Sequence, residues 1–229
     1  MKTAAITAEF SSVPSFSSAG YWEARYRRGG RSGAGSYGRL ADYKSAFING
    51  FVQSNRIATV LDFGCGDGNL LSLLQLPAYI GVDVSPTAIA GCAGRFAARP
   101  NHRFRLFDEL ASADRAELTL SIDVIYHLIE DRVFDSYLTE LFTRAERFVL
   151  IYASNTDQPW PQGHVRHRRF TDPIACNYPD WRLVAHLPNP HPYAAEQPDT
   201  TSFADFFVYA KAASDLGCEP CILTLPAQR

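Results

Sequence analysis

The sequence of 229 residues contains no long hydrophobic run. A membrane-spanning helix needs roughly 20 predominantly apolar residues in succession, and no stretch of this chain approaches that length. The N-terminal segment MKTAAITAEF is followed by serines and lacks the apolar centre of a signal peptide. We therefore expect a cytoplasmic protein without a membrane partner.

The sequence also lacks an excess of charge of either sign. It has 22 Lys and Arg residues against 24 Asp and Glu residues, so its formal net charge at pH 7 is −2. Proteins that bind duplex DNA or RNA usually carry a basic patch or a strongly basic domain. The composition therefore disfavours a nucleic-acid partner, and it leaves the oligomeric state open.

Cysteines are few, and their spacing does not predict a metal site. The five cysteines are an odd number spread along the chain, which is typical of buried thiols in a reducing compartment. Cys218 and Cys221 have the CxxC spacing, but no second pair of this kind completes a zinc site. We therefore expect no bound metal.

Strand patterns and helix patterns alternate through the middle of the chain. Short apolar runs predict five strands, at 57–63, 78–84, 102–107, 117–122 and 147–153. Helical periodicity and capping signals predict helices at 38–54, 69–76, 86–98 and 132–146. The alternation predicts an α/β fold with a doubly wound parallel sheet, covered by helices on both faces, with ligands at the carboxyl ends of the strands.

The C-terminal part follows a different pattern. Two further strands are predicted at 181–187 and 202–210, and the proline-rich loop between them contains no helix, so they should pair as an antiparallel hairpin. We interpret 38–211 as one domain, 1–37 as an N-terminal arm and lid segment whose residues 1–20 are mobile, and 212–229 as a tail.

A glycine-rich loop follows the first predicted strand. Its sequence is Asp62-Phe63-Gly64-Cys65-Gly66-Asp67-Gly68. Glycines at this position let the backbone turn tightly and approach a ligand without an intervening Cβ atom. Asp83 ends the second strand, where a carboxylate can accept hydrogen bonds from both hydroxyls of a ribose. The combination predicts a cofactor that contains a nucleoside.

The charges around this loop favour S-adenosylmethionine (SAM) over a dinucleotide. The carboxylates of Asp62 and Asp67 would repel a pyrophosphate, but they suit the ammonium and sulfonium groups of SAM. An alternative, a nicotinamide-dependent oxidoreductase, is disfavoured because the G-x-G-x-x-G spacing and a Tyr-x-x-x-Lys pair are both missing. A third hypothesis is a non-enzymatic SAM-binding subunit with the same fold.

Several segments resemble motifs of the class I SAM-dependent methyltransferases. VLDFGCGDGN is similar to motif I of that family, YIGVDVS to the acidic motif after it, and LSIDVIYHLIED to the motif that follows strand four. The predicted hairpin resembles strands six and seven. The resemblance covers roughly residues 20–211 and is closest to small single-domain bacterial methyltransferases. It implies a Rossmann-like sheet of seven strands with an antiparallel strand 7, methyltransferase activity, and SAM as cofactor.

The resemblance also implies roles for individual residues. The backbone of Gly64, Cys65 and Gly66 would line the methionine part of SAM, and Asp62 would support the loop or the amino group. Asp83 would hold the ribose. The adenine would be contacted by Val84, Phe107 and Asp108. The cofactor would also contact the backbone of Ser121. Its sulfonium would face the aromatic lid residues Tyr21 and Trp22.

The motif after strand four contains the candidates for chemistry. His127 is the best candidate for a general base, since an imidazole titrates near neutral pH, although it could equally be a structural histidine. Asp123 could orient His127 or contact the substrate, and Tyr126 is a substrate-binding candidate. Metal-dependent O-methyltransferases have a second carboxylate in this motif, which Asp123-x-x-Tyr126-His127 lacks.

The most basic segment of the chain is His164-Val-Arg-His-Arg-Arg169. His164, Arg166 and His167 could hold an acidic substrate, because arginine offers paired donors to carboxylates and phosphates. The alternative is a solvated loop whose charges pair with surface acids. The overall prediction is methyl transfer to an O or N atom of a small-molecule acceptor, acidic or sugar-like in character.

Overall fold

The computed structural model describes residues 16–212. The predicted mobile arm over 1–15 and the CxxC pair at Cys218 and Cys221 lie outside the described residues. No helix within the described range is long and apolar enough to cross a membrane.

The centre of the molecule is a seven-stranded sheet in the order β3-β2-β1-β4-β5-β7-β6. Strands β1 to β5 are parallel, whereas β7 runs antiparallel to both β5 and β6. This arrangement confirms the predicted fold class. The strands are β1 Thr59–Phe63, β2 Ala78–Asp83, β3 His102–Leu106, β4 Ala116–Ile122, β5 Ala145–Ala153, β6 Trp181–Leu187 and β7 Asp205–Lys211.

Within residues 16–212, six α-helices accompany the sheet. They are α1 Ser18–Arg27, α2 Gly38–Ser54, α3 Asn69–Leu73, α4 Pro86–Arg95, α5 Asp131–Thr143 and α6 Thr171–Asn177. Short 3₁₀ turns lie at Ala34–Ser36, Phe107–Glu109 and Ile125–His127. The central strands β4 and β5 are buried along most of their length, because helices cover the sheet on both faces.

The structure corrects several predicted elements. Residues 18–20 are the first turn of α1 and not part of a mobile arm, because the Ser17 side chain caps the helix by accepting a hydrogen bond from the Gly20 N–H. Helix α3 ends at Leu73, since the backbone of Leu74 is already extended. Strand β7 begins at Asp205 and not at 202, and α6 was not predicted at all.

The order of the strands determines where a site can form. Strands β1, β2 and β4 are neighbours, with β1 in the middle, so their carboxyl ends meet at one edge of the sheet. Ligands of doubly wound sheets bind at this edge, where the strand order reverses direction. The glycine-rich loop, Asp83 and the segment after β4 all begin there.

Candidate cofactor and acceptor site

A largely apolar cavity lies at the carboxyl ends of β1, β2 and β4, beneath α1. One part of its lining is Gly64, Asp83, Val84, Phe107, Trp22 and Tyr26, which we name the cofactor half after the role that we propose for it. Another part is Asp123, Tyr126, His127, Leu128, Ser18 and Glu130, which we name the acceptor half for the same reason. The cavity therefore brings together residues from the N-terminal helix and from the loops that follow four strands, β1 to β4.

The glycine-rich loop is packed too closely for a side chain at all three of its glycines, and most closely at Gly64 and Gly66. Gly64 has a φ of +89°, and a Cβ atom there would lie 2.3 Å from Cγ2 of Val124. Gly66 has a φ of +58°, and its Cβ would lie 2.4 Å from Oγ of Ser32. The Gly64 and Cys65 N–H groups donate to the Val82 carbonyl, which fixes the turn. The loop therefore presents bare backbone to the cavity at Gly64.

Asp83 is held in place by its own backbone neighbours. Its Oδ2 accepts from the Gly66 N–H and its Oδ1 accepts from the Ser85 N–H, both at 2.9 Å. Each oxygen therefore retains a lone pair for a ligand in the cavity that Asp83 lines. Burial raises the pKa of Asp83 to about 6, although the hydrogen bonds from the backbone partly oppose this shift.

The other two carboxylates of the loop do not line the cavity. Asp62 accepts a hydrogen bond from the Tyr79 hydroxyl at 2.8 Å, and burial raises its pKa to about 7. Asp67 accepts from the Ser32 N–H, the Tyr37 hydroxyl and the Asn69 N–H. The structure therefore does not support the prediction that both carboxylates bracket a charged ligand, because Asp62 is bonded to Tyr79 of β2 and Asp67 joins the loop to the N-terminal segment.

Some residues implied by the resemblance line the cavity and others do not. Val84 and Phe107 line it. Asp108 is exposed outside it, and Ser121 is buried behind it with its hydroxyl bonded to Tyr137 at 2.7 Å. The side chain of Cys65 is also outside the lining, as is Gly66, although the Gly66 N–H positions Asp83.

Helix α1 closes the cavity from above. Near its N-terminus, the backbone N–H and hydroxyl of Ser18 donate to the Glu130 carboxylate. In its middle, Glu23 accepts from the hydroxyls of Ser85 and Thr87 at 2.6 and 2.8 Å. The helix is thus anchored both to the segment after β4 and to the start of α4. It has little amphipathic character, so its only strong sequence signal was the N-cap at Ser17.

The two predicted lid residues of α1 have different positions. Trp22 lines the cavity, as predicted, and its ring meets His127 edge-on with centroids 4.9 Å apart. Tyr21 does not line the cavity and instead stacks on His164 with centroids 4.7 Å apart. Tyr26, which was not predicted, lines the cavity and shares a hydrogen bond with the Ser32 hydroxyl at 3.0 Å.

A buried ion pair lies behind the end of β4. The ammonium of Lys44, whose side chain is 0% exposed, donates to Oδ2 of Asp123. The other oxygen of Asp123 accepts from the Tyr126 hydroxyl at 2.8 Å. Asp123 has a φ of +60°, which is unusual for a residue other than glycine. Asp123 therefore does not orient His127 but forms a triad with Lys44 and Tyr126.

Sequence reasoning missed Lys44, although a signal for it was present. Lys44 stands four residues after Leu40 and four before Ile48, so it lies on the buried face of α2. A charged residue on such a face is rarely fully buried unless it is paired. Its position therefore implied a carboxylate partner, which the sequence alone did not identify.

His127 is partly buried in the acceptor half, and a hydrogen bond defines its tautomer. Its Nδ1 lies 2.9 Å from the backbone oxygen of His164, and because a carbonyl only accepts, Nδ1 carries the hydrogen. Burial lowers the pKa of His127 to about 4. The ring is therefore neutral at pH 7, with an unprotonated Nε2.

The basic segment after β5 is mostly engaged with acids. Arg166 and Arg168 both pair with Asp131, at 2.9 and 3.0 Å, and Arg169 lies 3.8 Å from the Asp157 carboxylate. The ring of His167 shares a hydrogen bond with Ser154. None of these residues lines the cavity, so the structure agrees with the alternative of a loop paired with acids. His164 contributes through its backbone bond to His127.

Comparisons with known proteins decide between the cofactor hypotheses. A protein-family model described as a methyltransferase domain matches residues 37–187, which is more than half of the chain. The chain belongs to this methyltransferase family. Together with the seven-stranded sheet, this membership makes the protein a class I SAM-dependent methyltransferase, an enzyme with S-adenosylmethionine as its cofactor. The alternatives of a nicotinamide oxidoreductase and of a non-enzymatic subunit are thereby rejected.

Solved structures share this fold at low sequence identity. The methyltransferase resembles the N-methyltransferase NodS from Bradyrhizobium japonicum WM9, in complex with S-adenosyl-L-homocysteine, with 14% identity, a TM-score of 0.59, and coverage of 75% of this chain and 87% of NodS. It also resembles magnesium protoporphyrin IX methyltransferase from Synechocystis PCC 6803, with 15% identity, a TM-score of 0.54, and coverage of 88% and 100%. A search of curated proteins finds no match.

The residues present in the cavity fit SAM. Gly64 lines the cavity with backbone alone, and the carboxylate of Asp83, held by the Gly66 and Ser85 N–H groups, lines it as an acceptor for ribose hydroxyls. Val84 and Phe107 supply apolar surface on the same side as Asp83. Among residues 16–212, no group of three or more His, Cys, Asp or Glu side chains is placed to hold a metal ion.

Proposed function

We propose that this methyltransferase transfers the methyl group of SAM to an O or N atom of a small-molecule acceptor, with His127 as the general base. The observation that carries the proposal is the hydrogen bond between Nδ1 of His127 and the backbone oxygen of His164, which sets the tautomer of the ring. Its Nδ1–H is bonded to the His164 backbone, so its Nε2 is left unprotonated in the wall of the cavity.

The cofactor half of the cavity would hold SAM in the manner that the resemblance implies. Asp83 would accept the ribose hydroxyls, and Val84 and Phe107 would flank the adenine. The backbone at Gly64 would run beside the methionine portion, and Trp22 would face the sulfonium through its ring. Bound SAM supplies an activated methyl group, and the protein supplies alignment.

The acceptor half would bind the nucleophile. An acceptor hydroxyl or amine loses its proton as the new bond to carbon forms, and Nε2 of His127 can take that proton. General-base catalysis of this kind typically contributes about 10²–10⁴-fold in rate. The lowered pKa of His127 makes it a weak base but keeps nearly all of it in the basic form at pH 7.

Two features support a small acceptor with hydroxyl groups. Helix α1 covers the cavity and is anchored at Glu130 and at Ser85, which restricts access for a polymer. The acceptor half contains the oxygens of Asp123, Tyr126 and Ser18, which are bonded within the protein but can accept further hydrogen bonds from hydroxyls, whereas among the described residues no Lys or Arg lines the cavity. We therefore favour an acceptor that carries a sugar-like group, rather than a carboxylate, next to the atom that receives the methyl group.

The test is a turnover assay with isotopically labelled SAM. The protein is incubated with a cell extract that has been divided into small-molecule, RNA and protein fractions, and the methyl label is located by mass spectrometry. We expect label in the small-molecule fraction, on a product heavier by one methylene group. Label that appears only in RNA or only in protein would contradict the proposal.

A further inference from the structure

A groove lined by three arginines lies beside the cofactor cavity. Arg25 belongs to the last turn of α1, Arg31 to the loop after α1, and Arg39 to the first turn of α2. Ser32 lines both the groove and the cavity. The groove is therefore a neighbour of the methyl-transfer site but not part of it.

The positive charge in this groove is only partly offset by the protein. Within residues 16–212, none of the three arginines forms an ion pair with a carboxylate. Asp199 also lines the groove, but it too is absent from those ion pairs. The groove thus keeps a net charge of about +2, in contrast to the paired arginines at 166–169.

Each guanidinium is restrained by a contact that leaves donors free. Nε of Arg25 donates to the Arg31 carbonyl at 2.6 Å, and Nε of Arg39 donates to the Thr200 carbonyl at 2.5 Å. The guanidinium of Arg31 lies over the ring of Tyr37, 4.9 Å from its centroid. Such restraint reduces the entropy that a ligand must remove when it binds.

We propose that this arginine groove binds a phosphate group. A single guanidinium can satisfy a carboxylate with two parallel hydrogen bonds, whereas three guanidinium groups around one space suit the larger number of oxygens of a phosphate. The N-terminus of α2 at Gly38, which also lines the groove, adds positive potential at the same place.

The phosphate can come from either of two sources. It can be a free anion, or it can be part of the acceptor, in which case the hydroxyl-bearing part would enter the cavity past Ser32. The second source rests on the proposed function, whereas phosphate binding itself does not. Phosphate binding and the proposed function can therefore be disproved by different results.

The first arm of the test measures binding directly. Inorganic phosphate and pyrophosphate are titrated by calorimetry into the full-length protein saturated with S-adenosyl-L-homocysteine, so that the cofactor cavity is filled. We expect binding to the wild type, and binding at least about tenfold weaker in Arg31→Met/Arg39→Met, because hydrogen bonds to two charged donors are lost.

The control variant is Arg103→Met/Arg105→Met, which removes the same charge from exposed positions on β3. It should bind both anions as the wild type does, and all three proteins should bind S-adenosyl-L-homocysteine equally. Absence of binding by the wild type, or equal weakening in the control, overturns the proposal. A single-stranded RNA that binds the groove more tightly than pyrophosphate overturns both proposed sources, because the phosphate would then belong to a polymer.

The second arm identifies the source of the phosphate. The labelled-SAM assay is repeated with the small-molecule fraction after treatment with a phosphatase. Loss of the product, together with a raised KM in Arg31→Met/Arg39→Met, places the phosphate on the acceptor. An unchanged product with intact pyrophosphate binding supports a free anion. If no product forms in any fraction while pyrophosphate still binds, only the proposed function has failed.

Discussion

The two halves of the cavity are built in different ways. The core of the cofactor half, Gly64 and Asp83, comes from two consecutive β-strand ends, where backbone N–H groups fix Asp83 and glycines shape the loop. The acceptor half is assembled from side chains of α1 and the segment after β4, which are held by Lys44 of α2 and by the backbone oxygen of His164 after β5. The same backbone geometry can bind the shared cofactor in every member of a fold family. Side chains from distant segments can be substituted one by one, which allows the acceptor to differ between members.

This contrast explains how far the sequence could predict the site. Gly64 and Asp83 were predicted because the loop and the strand end are contiguous patterns with a local physical cause. Asp67 was misassigned because its partners, Ser32 and Tyr37, precede it by 35 and 30 residues. No periodicity in the sequence encodes such long-range pairs.

The same reasoning applies to the fold. The seven-stranded sheet and its antiparallel β7 were predictable from strand patterns and from the absence of a helix before β7. Helix α1 was not predictable from the sequence, because it buries only Ser18 and Tyr26 and is held by polar contacts of Glu23 and Glu130. Tertiary hydrogen bonds of this kind leave no hydrophobic pattern in the sequence.

The largest expected effect is a loss of SAM affinity, which tests the cofactor half of the cavity separately from the acceptor half. Asp83→Ala should weaken SAM binding at least about 100-fold, because two hydrogen bonds to a charged acceptor are lost at about 1.5–3 kcal/mol each. Calorimetry measures the affinity, and SAM should no longer raise the melting temperature. The exposed Asp135→Ala variant makes the same charge change on α5 and should change the binding free energy by less than about 0.5 kcal/mol.

The next effect concerns the ion pair behind the acceptor half. Lys44→Met should lower the free energy of unfolding by about 3–5 kcal/mol, because it leaves the Asp123 carboxylate without its buried partner. Chemical denaturation at neutral pH measures the loss. The double variant Lys44→Met/Asp123→Asn should recover part of it. A loss below about 1 kcal/mol in the single variant would show that the pair behaves as a surface contact.

The smallest effect is a pH dependence of SAM affinity. The pKa of Asp83 is raised to about 6, so the carboxylate is protonated below that pH and loses acceptor capacity for the ribose. SAM affinity should therefore fall as pH decreases from about 7 to about 5. Without ligand the sign is opposite, because a raised pKa makes this group stabilise the fold at low pH and lose that contribution as pH rises through about 6. Titrations at several pH values check the first trend, and an affinity that is constant from pH 7 to 5 would exclude Asp83 as the ribose acceptor.

The most direct test of the central claim compares SAM binding and turnover in His127→Gln. Glutamine can still donate to the His164 carbonyl, but it cannot act as a base. If the cofactor half and the acceptor half are separate, the variant binds SAM with wild-type affinity and loses about 10²–10⁴-fold in methyl transfer. Wild-type turnover by His127→Gln would remove His127 from the mechanism and contradict this account of the acceptor half.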